Sequence, residues 1–310
     1  MIGVDVGGAN LKVADGREAR SEYCPLWEGV DLCSRLAPYR NEKAAVVITG
    51  ELADCFQDKM DGIKRIVSEV QRAIPDALFY GTDARFHSRA VPQLAAANWL
   101  ASAELLIESH QGKILVDMGS TTTDIVPILD LHSLLGLTDL KRLQRGYLVY
   151  TGLLRTPVAA MASSLLIAGI RTSLSSELFA IAADVHRILG HISDKEYHCP
   201  APDGREKSYQ ASIRRLSRMV CADPEEIGHE GVQEMASQIW KCQLACIRSA
   251  IEQVKAETGA GGIVTAGAGS GILARELGGK DLADDIGRFA EILPAYAVRE
   301  VALRRAGDSP

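Results

Sequence analysis

The stretch Gly3-Val4-Asp5-Val6-Gly7-Gly8-Ala9-Asn10-Leu11-Lys12 decides the fold, and Val116-Asp117-Met118-Gly119-Ser120-Thr121-Thr122-Thr123-Asp124 echoes it later in the chain. Each is a short apolar run ending in Asp, then small residues, then a second apolar run. The pattern predicts a strand, a tight turn and a return strand, with an Asp at the turn. Two such loops in one chain would set Asp5 and Asp117 facing each other across a cleft, with turn amides aimed at phosphate.

Outward from the first loop, residues 2–7, 10–15 and 19–24 read as three successive strands, with Asp15-Gly16 as a hairpin turn. A helix is expected over 29–39, a strand from Ala44 to Ile48 and a helix from Asp58 to Ala73, ended by Pro75-Asp76. Ala77 to Tyr80 reads as a short strand, and Pro92 to Ile107 as an Ala-rich helix. A second cycle starts at Lys113. Ile114 to Asp117 and Asp124 to Leu129 form its hairpin, and Tyr147 to Tyr150 adds a strand. Helices are expected at 157–168, 175–190, 206–221 and 224–257. Gly261 to Ala266 is a strand, followed by the turn Gly267-Ala268-Gly269-Ser270-Gly271 and a helix from Ile272 to Leu277. The last helix, near 286–306, returns to the first half. The expectation is an α/β protein of two domains, residues 1–112 plus 286–310 and residues 113–285. The polar loop from His191 to Lys207 is the candidate lid.

With 310 residues, the chain has room for two domains and a sizeable core. Its net charge of −6 argues against broad nucleic-acid binding, and 5% aromatic residues leave little for base stacking. The opening Met1-Ile2-Gly3-Val4 is a strand without a basic leader. The apolar stretch from Pro157 to Ile170 is broken by Ser163, Ser164 and Gly169 and is too short to span a bilayer. Seven cysteines, an odd number without a CxxC pair, point to reduced thiols in a cytoplasm. Cys242 and Cys246 lack the His or second Cys pair of a metal site.

Gly7 and Gly8 permit a turn that other residues resist. Its amides, with Asn10 and the point charge of Lys12, suit a phosphate group. Gly119, Ser120, Thr121 and Thr122 offer amides and hydroxyls to the same group. Gly267, Gly269 and Ser270 are read as a third, flanking phosphate turn. Asp5 and Asp117 would repel phosphate directly, but can hold Mg²⁺ through water.

The order of these three elements resembles the actin-like ATPase superfamily of sugar kinases, Hsp70 and actin, and within it the hydantoinase A/oxoprolinase-like branch. A more specific resemblance lies in Thr49-Gly50-Glu51-Leu52-Ala53-Asp54-Cys55-Phe56, Ala97-Asn98-Trp99 and Val149-Tyr150-Thr151-Gly152-Leu153-Leu154-Arg155-Thr156-Pro157. Together with the first loop, these look like the tetrahydromethanopterin-linked C1-transfer pathway family, over nearly the whole chain. The resemblance implies a two-domain actin-like (ribonuclease H-like) fold with an interdomain cleft. It also implies methanofuran biosynthesis: an aminomethyl-furanmethanol diphosphate is joined to the phenol of γ-glutamyltyramine, and diphosphate leaves. Mg²⁺ is then the expected cofactor, and ATP is not required. The expected partners are small-molecule diphosphate and tyramine-type substrates, with no nucleic acid and no membrane; a homo-oligomer is left open.

Candidates for taking the phenol proton are Glu51, Asp54, Asp83 and Asp184. Each also has a plainer reading: Glu51 and Asp54 as helix-start carboxylates, Asp83 as a turn residue, Asp184 as part of a helix. Asn98, Arg155, Arg215 and Arg218 are the substrate-binding candidates; Arg offers a planar fork to diphosphate or carboxylate, while Asn98 reads as a packing and orientation residue. For Arg215 and Arg218 the plainer reading is a solvated helix face. Asn10 stands where the wider superfamily carries Thr or Ser, which weakens a transfer of kinase chemistry. The competing reading is an ATP-dependent small-molecule kinase or ATP-coupled amidohydrolase, since the same loops would clamp ATP. A third is a ligand sensor on the same hinge.

Overall fold

The structure is a computed structural model that describes residues 1–307. Its first half is built on strands β1 (Ile2–Gly7), β2 (Asn10–Ala14), β3 (Ala19–Tyr23), β4 (Ala44–Thr49), β5 (Leu78–Tyr80) and β6 (Phe86–His87), ordered 3-2-1-4-5-6. The β1–β2–β3 meander is antiparallel, and β4 and β5 add on parallel to β1. Helices α1 (Leu32–Leu36), α2 (Lys59–Ala73) and α3 (Asn98–His110) complete this half. The second half repeats the hairpin with β7 (Ile114–Met118), β8 (Thr123–Pro127) and β9 (Leu148–Val149). It continues through α4 (Asp139–Arg145), α5 (Val158–Met161), the hairpin β10 (Ser164–Ile167) and β11 (Ile170–Ser173), α6 (Ala182–Ile188), α7 (Tyr209–Arg218), α8 (Pro224–Ile227) and α9 (His229–Thr258). Then come β12 (Ile263–Ala266), α10 (Ser270–Leu277), β13 (Lys280–Asp281), α11 (Ala283–Ile286) and α12 (Leu293–Gly307). The second sheet runs 13-12-7-8-9. A meander carrying parallel strands beside its first strand is the ribonuclease H-like unit, and its repetition is the α/β architecture of the actin-like fold.

The apolar alternation of β1 and β4 explains the layering. Ile2, Val4, Val6, Val46 and Ile48 face α1 and α2, with Ile63, Ile66 and Val70 opposite. The other face, through Ala45, Val47 and Tyr80, shares one core with α3, α12 and the second sheet. Gly3 lets α12 sit directly on β1, since a Cβ there would lie 1.9 Å from the Ala295 carbonyl oxygen.

Several expected elements differ. The helix expected over 157–168 stops at Met161, and β10 and β11 follow. Ala168 and Gly169 both take positive φ (48° and 78°), the geometry of a two-residue hairpin turn between the β-branched Ile167 and Ile170. The helix expected over 175–190 begins only at Ala182, because Ile181 bridges Pro157 in extended form. Ala96, at φ 48°, breaks the helix expected from Pro92, so α3 starts at Asn98. Gly228, at φ 75°, splits α8 from α9. All seven cysteines are free. Among the described residues, no helix is long and apolar enough to cross a membrane.

Candidate active site between two hairpin loops

The two hairpins stand in the same register. Asp5 pairs across its ladder with Lys12, and Asp117 pairs across its own with Asp124. All four line a cavity of about 390 Å³ between the loops. The duplication therefore puts a cation opposite the first Asp and a second carboxylate opposite the other.

These charges are not equivalent. Lys12 Nζ lies 3.5 Å from Asp5 Oδ2, and Thr49 Oγ1 donates to Asp5 Oδ1 at 3.3 Å. Asp124 is bonded by the buried guanidinium of Arg142, which also donates to Asp139 at 2.8 Å. Arg142 lies over the Trp99 ring, 4.7 Å from its centroid. Asp117 has neither an ion pair nor a hydrogen bond among the described residues. Burial pushes its carboxyl up to about 7; Lys12 opposes the shift, and Asp124 and Asp5 add to it. Burial also raises Asp5 and Asp124, against Lys12 and Arg142 respectively.

The loop backbones are free where a ligand could meet them. Among the described residues, the amides of Gly8, Ala9, Ser120 and Thr121 have no hydrogen-bond partner, while the Gly119 amide closes its own turn on Thr122. Adjacent unpaired amides form an anion nest. Gly7 lies against Asn10 in the first turn, and Asn10 Nδ2 donates to Ser120 Oγ at 2.9 Å, joining the two loops. Thr122 lines the same cavity.

The segment Thr151 to Arg155 straps the second loop in place. The amides of Leu153, Leu154 and Arg155 donate to the carbonyls of Gly119 and Ser120 at 2.9–3.0 Å. Gly152 is required there, because a Cβ would stand 2.6 Å from the Thr121 backbone. Arg155 Nη1 donates to Thr121 Oγ1 at 3.2 Å, and its guanidinium lies over Trp27 at 4.7 Å.

Glu51, two residues beyond the end of β4, lines the same cavity. It is 1% exposed, and its Oε2 has no partner. Burial pushes its carboxyl up to about 7, against pulls from nearby backbone amides and Lys59. Asp54 and Asn98 line the same cavity, and Leu52 and Tyr150 stand exposed at its mouth.

Other expected site residues lie elsewhere. Asp184 is fully buried and pairs with Arg215 at 2.7 Å; it also accepts from Ser212, Tyr197 and the Ile181 amide. That pair ties α6 to α7 and does not reach the cavity. Arg218 is exposed beside Asp203, and Asp83 sits in a turn 3.1 Å from His87 Nε2. The turn at Gly267, Gly269 and Ser270 backs Asp117 instead of lining the cavity. Its Gly267 and Gly269 amides donate to Ala290 and Met118, and a Cβ on Gly267 would stand 2.4 Å from Asp117 Oδ1. Sequence reading missed Asp124, Asp139, Arg142, Thr49 and Trp27. Aligning the two hairpins would have placed Asp124 opposite Asp117, as Lys12 stands opposite Asp5.

No three His, Cys, Asp or Glu side chains come together as a metal cage among the described residues. The unpaired Asp117 fits a cation held through water and ligand oxygens, which is the habit of Mg²⁺.

A hydantoinase/oxoprolinase family profile matches residues 42–298. The (4-{4-[2-(gamma-L-glutamylamino)ethyl]phenoxymethyl}furan-2-yl)methanamine synthase of Methanocaldococcus jannaschii is 35% identical over 287 residues, 88% of this chain and 87% of that protein. The chain belongs to this synthase family, within the hydantoinase/oxoprolinase group. The synthase of the same name from Methanococcus vannielii is 37% identical over 160 residues, 52% of this chain and 72% of that one. Among solved structures, the activator of 2-hydroxyisocaproyl-CoA dehydratase from Clostridium difficile aligns over 100% of this chain and 98% of its own, at 13% identity and TM-score 0.41. A non-polymerising MamK mutant aligns over 99% and 98%, at 12% identity and TM-score 0.43.

Proposed function

We propose that the chain makes a methanofuran precursor by joining an aminomethyl-furanmethanol diphosphate to the phenol of γ-glutamyltyramine or a related tyramine. One juxtaposition carries the reading: two amide nests share a cavity with Glu51, a buried carboxylate whose Oε2 lacks a partner. The synthase relatives, whose name describes a phenoxymethyl-furan ether, support it.

The diphosphate lies against the Gly8, Ala9, Ser120 and Thr121 amides, with Arg155 and Lys12 beside it. These fixed donors stabilise charge as it builds on the leaving oxygens. The furfuryl carbon–oxygen bond breaks, the electron pair leaves with diphosphate, and the phenol oxygen bonds to the carbon. Ring resonance spreads the positive charge on that carbon, so the cavity mainly orients the phenol and excludes water. Glu51 Oε2 takes the phenol proton. Mg²⁺, held by Asp117 with Asp5 nearby, would neutralise diphosphate charge. ATP is not required in this reading.

Purified protein supplied with both substrates and Mg²⁺ should form the ether and release one diphosphate per ether, read by mass spectrometry and a phosphate assay. No ether under these conditions, or turnover only with ATP, would sink the reading.

A further inference from the structure

The loop expected as a lid, His191 to Lys207, supplies a histidine to the first hairpin. His198 Nε2 lies 3.2 Å from Asn10 Oδ1, and His198 Nδ1 lies 3.0 Å from the Glu196 carbonyl oxygen. Asn10 in turn donates through Nδ2 to Ser120 Oγ at 2.9 Å. A chain of side chains thus runs from the loop, through the first hairpin, to the second.

Two proton arrangements satisfy this chain. With Asn10 Oδ1 toward the histidine, both ring nitrogens face carbonyl oxygens, so both must donate and the ring is an imidazolium. Ser120 Oγ then accepts from Asn10, and its hydroxyl proton is free to point into the cavity. With the Asn10 amide turned by half a revolution, its Nδ2 donates to a neutral Nε2. Its Oδ1 then accepts the Ser120 hydroxyl proton, and Ser120 shows the cavity only lone pairs. The first arrangement welcomes an anion and the second repels one.

The surroundings favour the neutral ring while the cavity holds no anion. Burial and the cation of Lys207, whose Nζ donates to the His198 carbonyl at 3.3 Å, both hold its pKa down. The Glu196 carboxylate is turned away, accepting from the Ser193 amide and hydroxyl. On the sheet side, Tyr23 lies opposite Asn10, and Cys199 follows His198 in the chain. Burial raises both groups, Cys199 to about 11, so both stay neutral.

We propose that His198 takes up a proton when a phosphate-type anion enters the cavity, turning Asn10 so that the Ser120 hydroxyl donates to that anion. The proposal rests on the reading that the hairpin loops hold diphosphate. His198 is a positioning residue in this scheme, since it acts through Asn10 and Ser120. Anion binding raises the pKa of His198. Affinity is therefore greatest below the free pKa and falls as pH rises through the bound one, by up to about tenfold per unit.

The test is calorimetry of inorganic pyrophosphate with Mg²⁺ on the full chain, at pH 8, in buffers of differing ionisation enthalpy. Wild type should take up more protons per pyrophosphate than His198→Gln, by up to about one. In wild type alone, nitrogen NMR of the His198 ring should change from neutral to imidazolium on adding pyrophosphate. This readout holds even if the variant misfolds. Binding with a neutral ring and equal proton counts would overturn the proposal and leave the diphosphate reading standing. No pyrophosphate binding at all would overturn both.

Discussion

Glu51 shows how one residue sets activity against stability. Its folded carboxyl lies near 7, against an ordinary value of 4.5. The folded state holds the proton more tightly, so stability falls as pH rises from the unfolded value through 7, by roughly 3 kcal/mol in all. Glu51→Gln should therefore melt higher than wild type at pH 8 and equally at pH 4. Its turnover should fall by about 10² to 10⁴, the usual contribution of a general base. Wild-type kcat/KM should rise with pH through about 7 as Glu51 of the free enzyme ionises; a flat profile from pH 5.5 to 8.5 would remove it as the base. Asp117 follows the same logic, with its carboxyl also near 7. Asp117→Ala should cost far more turnover than melting temperature, and Asp117→Asn should raise the Mg²⁺ concentration needed for half-maximal rate. A parallel loss of melting temperature and activity would mark Asp117 as structural. Glu51 and Asp117 were legible in the sequence because each stands at the end of an apolar strand. Arg142 was not, because nothing local on α4 says that its guanidinium reaches back to Asp124 and Trp99.

At the scale of elements, the strap from Thr151 to Arg155 and the α6–α7 pair behave differently. Gly152→Ala drives a methyl into the Thr121 backbone, which cannot rotate away as a side chain could. The change should destabilise by about 1–3 kcal/mol, as overpacking does. It should also weaken pyrophosphate binding in the protein that remains folded, as calorimetry would show. Arg215→Leu strands the buried Asp184 and should cost about 3–5 kcal/mol. Pyrophosphate affinity of the folded fraction should fall only indirectly, because Arg215 also donates to Asp203 and to the Glu206 carbonyl in the loop that carries His198. The sequence showed both arginine-bearing helices and the Tyr-Thr-Gly-Leu-Leu-Arg-Thr-Pro segment, yet assigned Arg215 to substrate. Helical spacing places a residue on a face but does not say whether that face meets a ligand or another helix.

At the scale of the whole molecule, one contact joins the two ends of the chain. The last helix lies on the first strand, with Gly3 against Ala295 and Arg299 donating to the Met1 carbonyl at 3.1 Å. Gly3→Val should force β1 and α12 apart and abolish cooperative folding, seen as loss of a single thermal transition. A variant that melted normally would show that α12 can slide along the sheet without cost.

The sequence by itself determined the repeated unit. Period-two apolar runs, paired turns and an Asp at each strand end are local signals, and local signals specify strands, hairpins and the register within them. They were enough for the α/β class and the two matching hairpin loops, while the family was legible only through the resemblance of segments 49–56, 97–99 and 149–157. Only the tertiary structure decided which charges remain available. Asp5 and Asp117 occupy matching places on matching hairpins, yet Asp5 is held by Lys12 and Thr49 while Asp117 is left unpaired. Asp184, equally acidic in sequence, is neutralised in a helix packing. Burial and pairing depend on residues brought together from distant parts of the chain, and they set which carboxylates can meet a ligand.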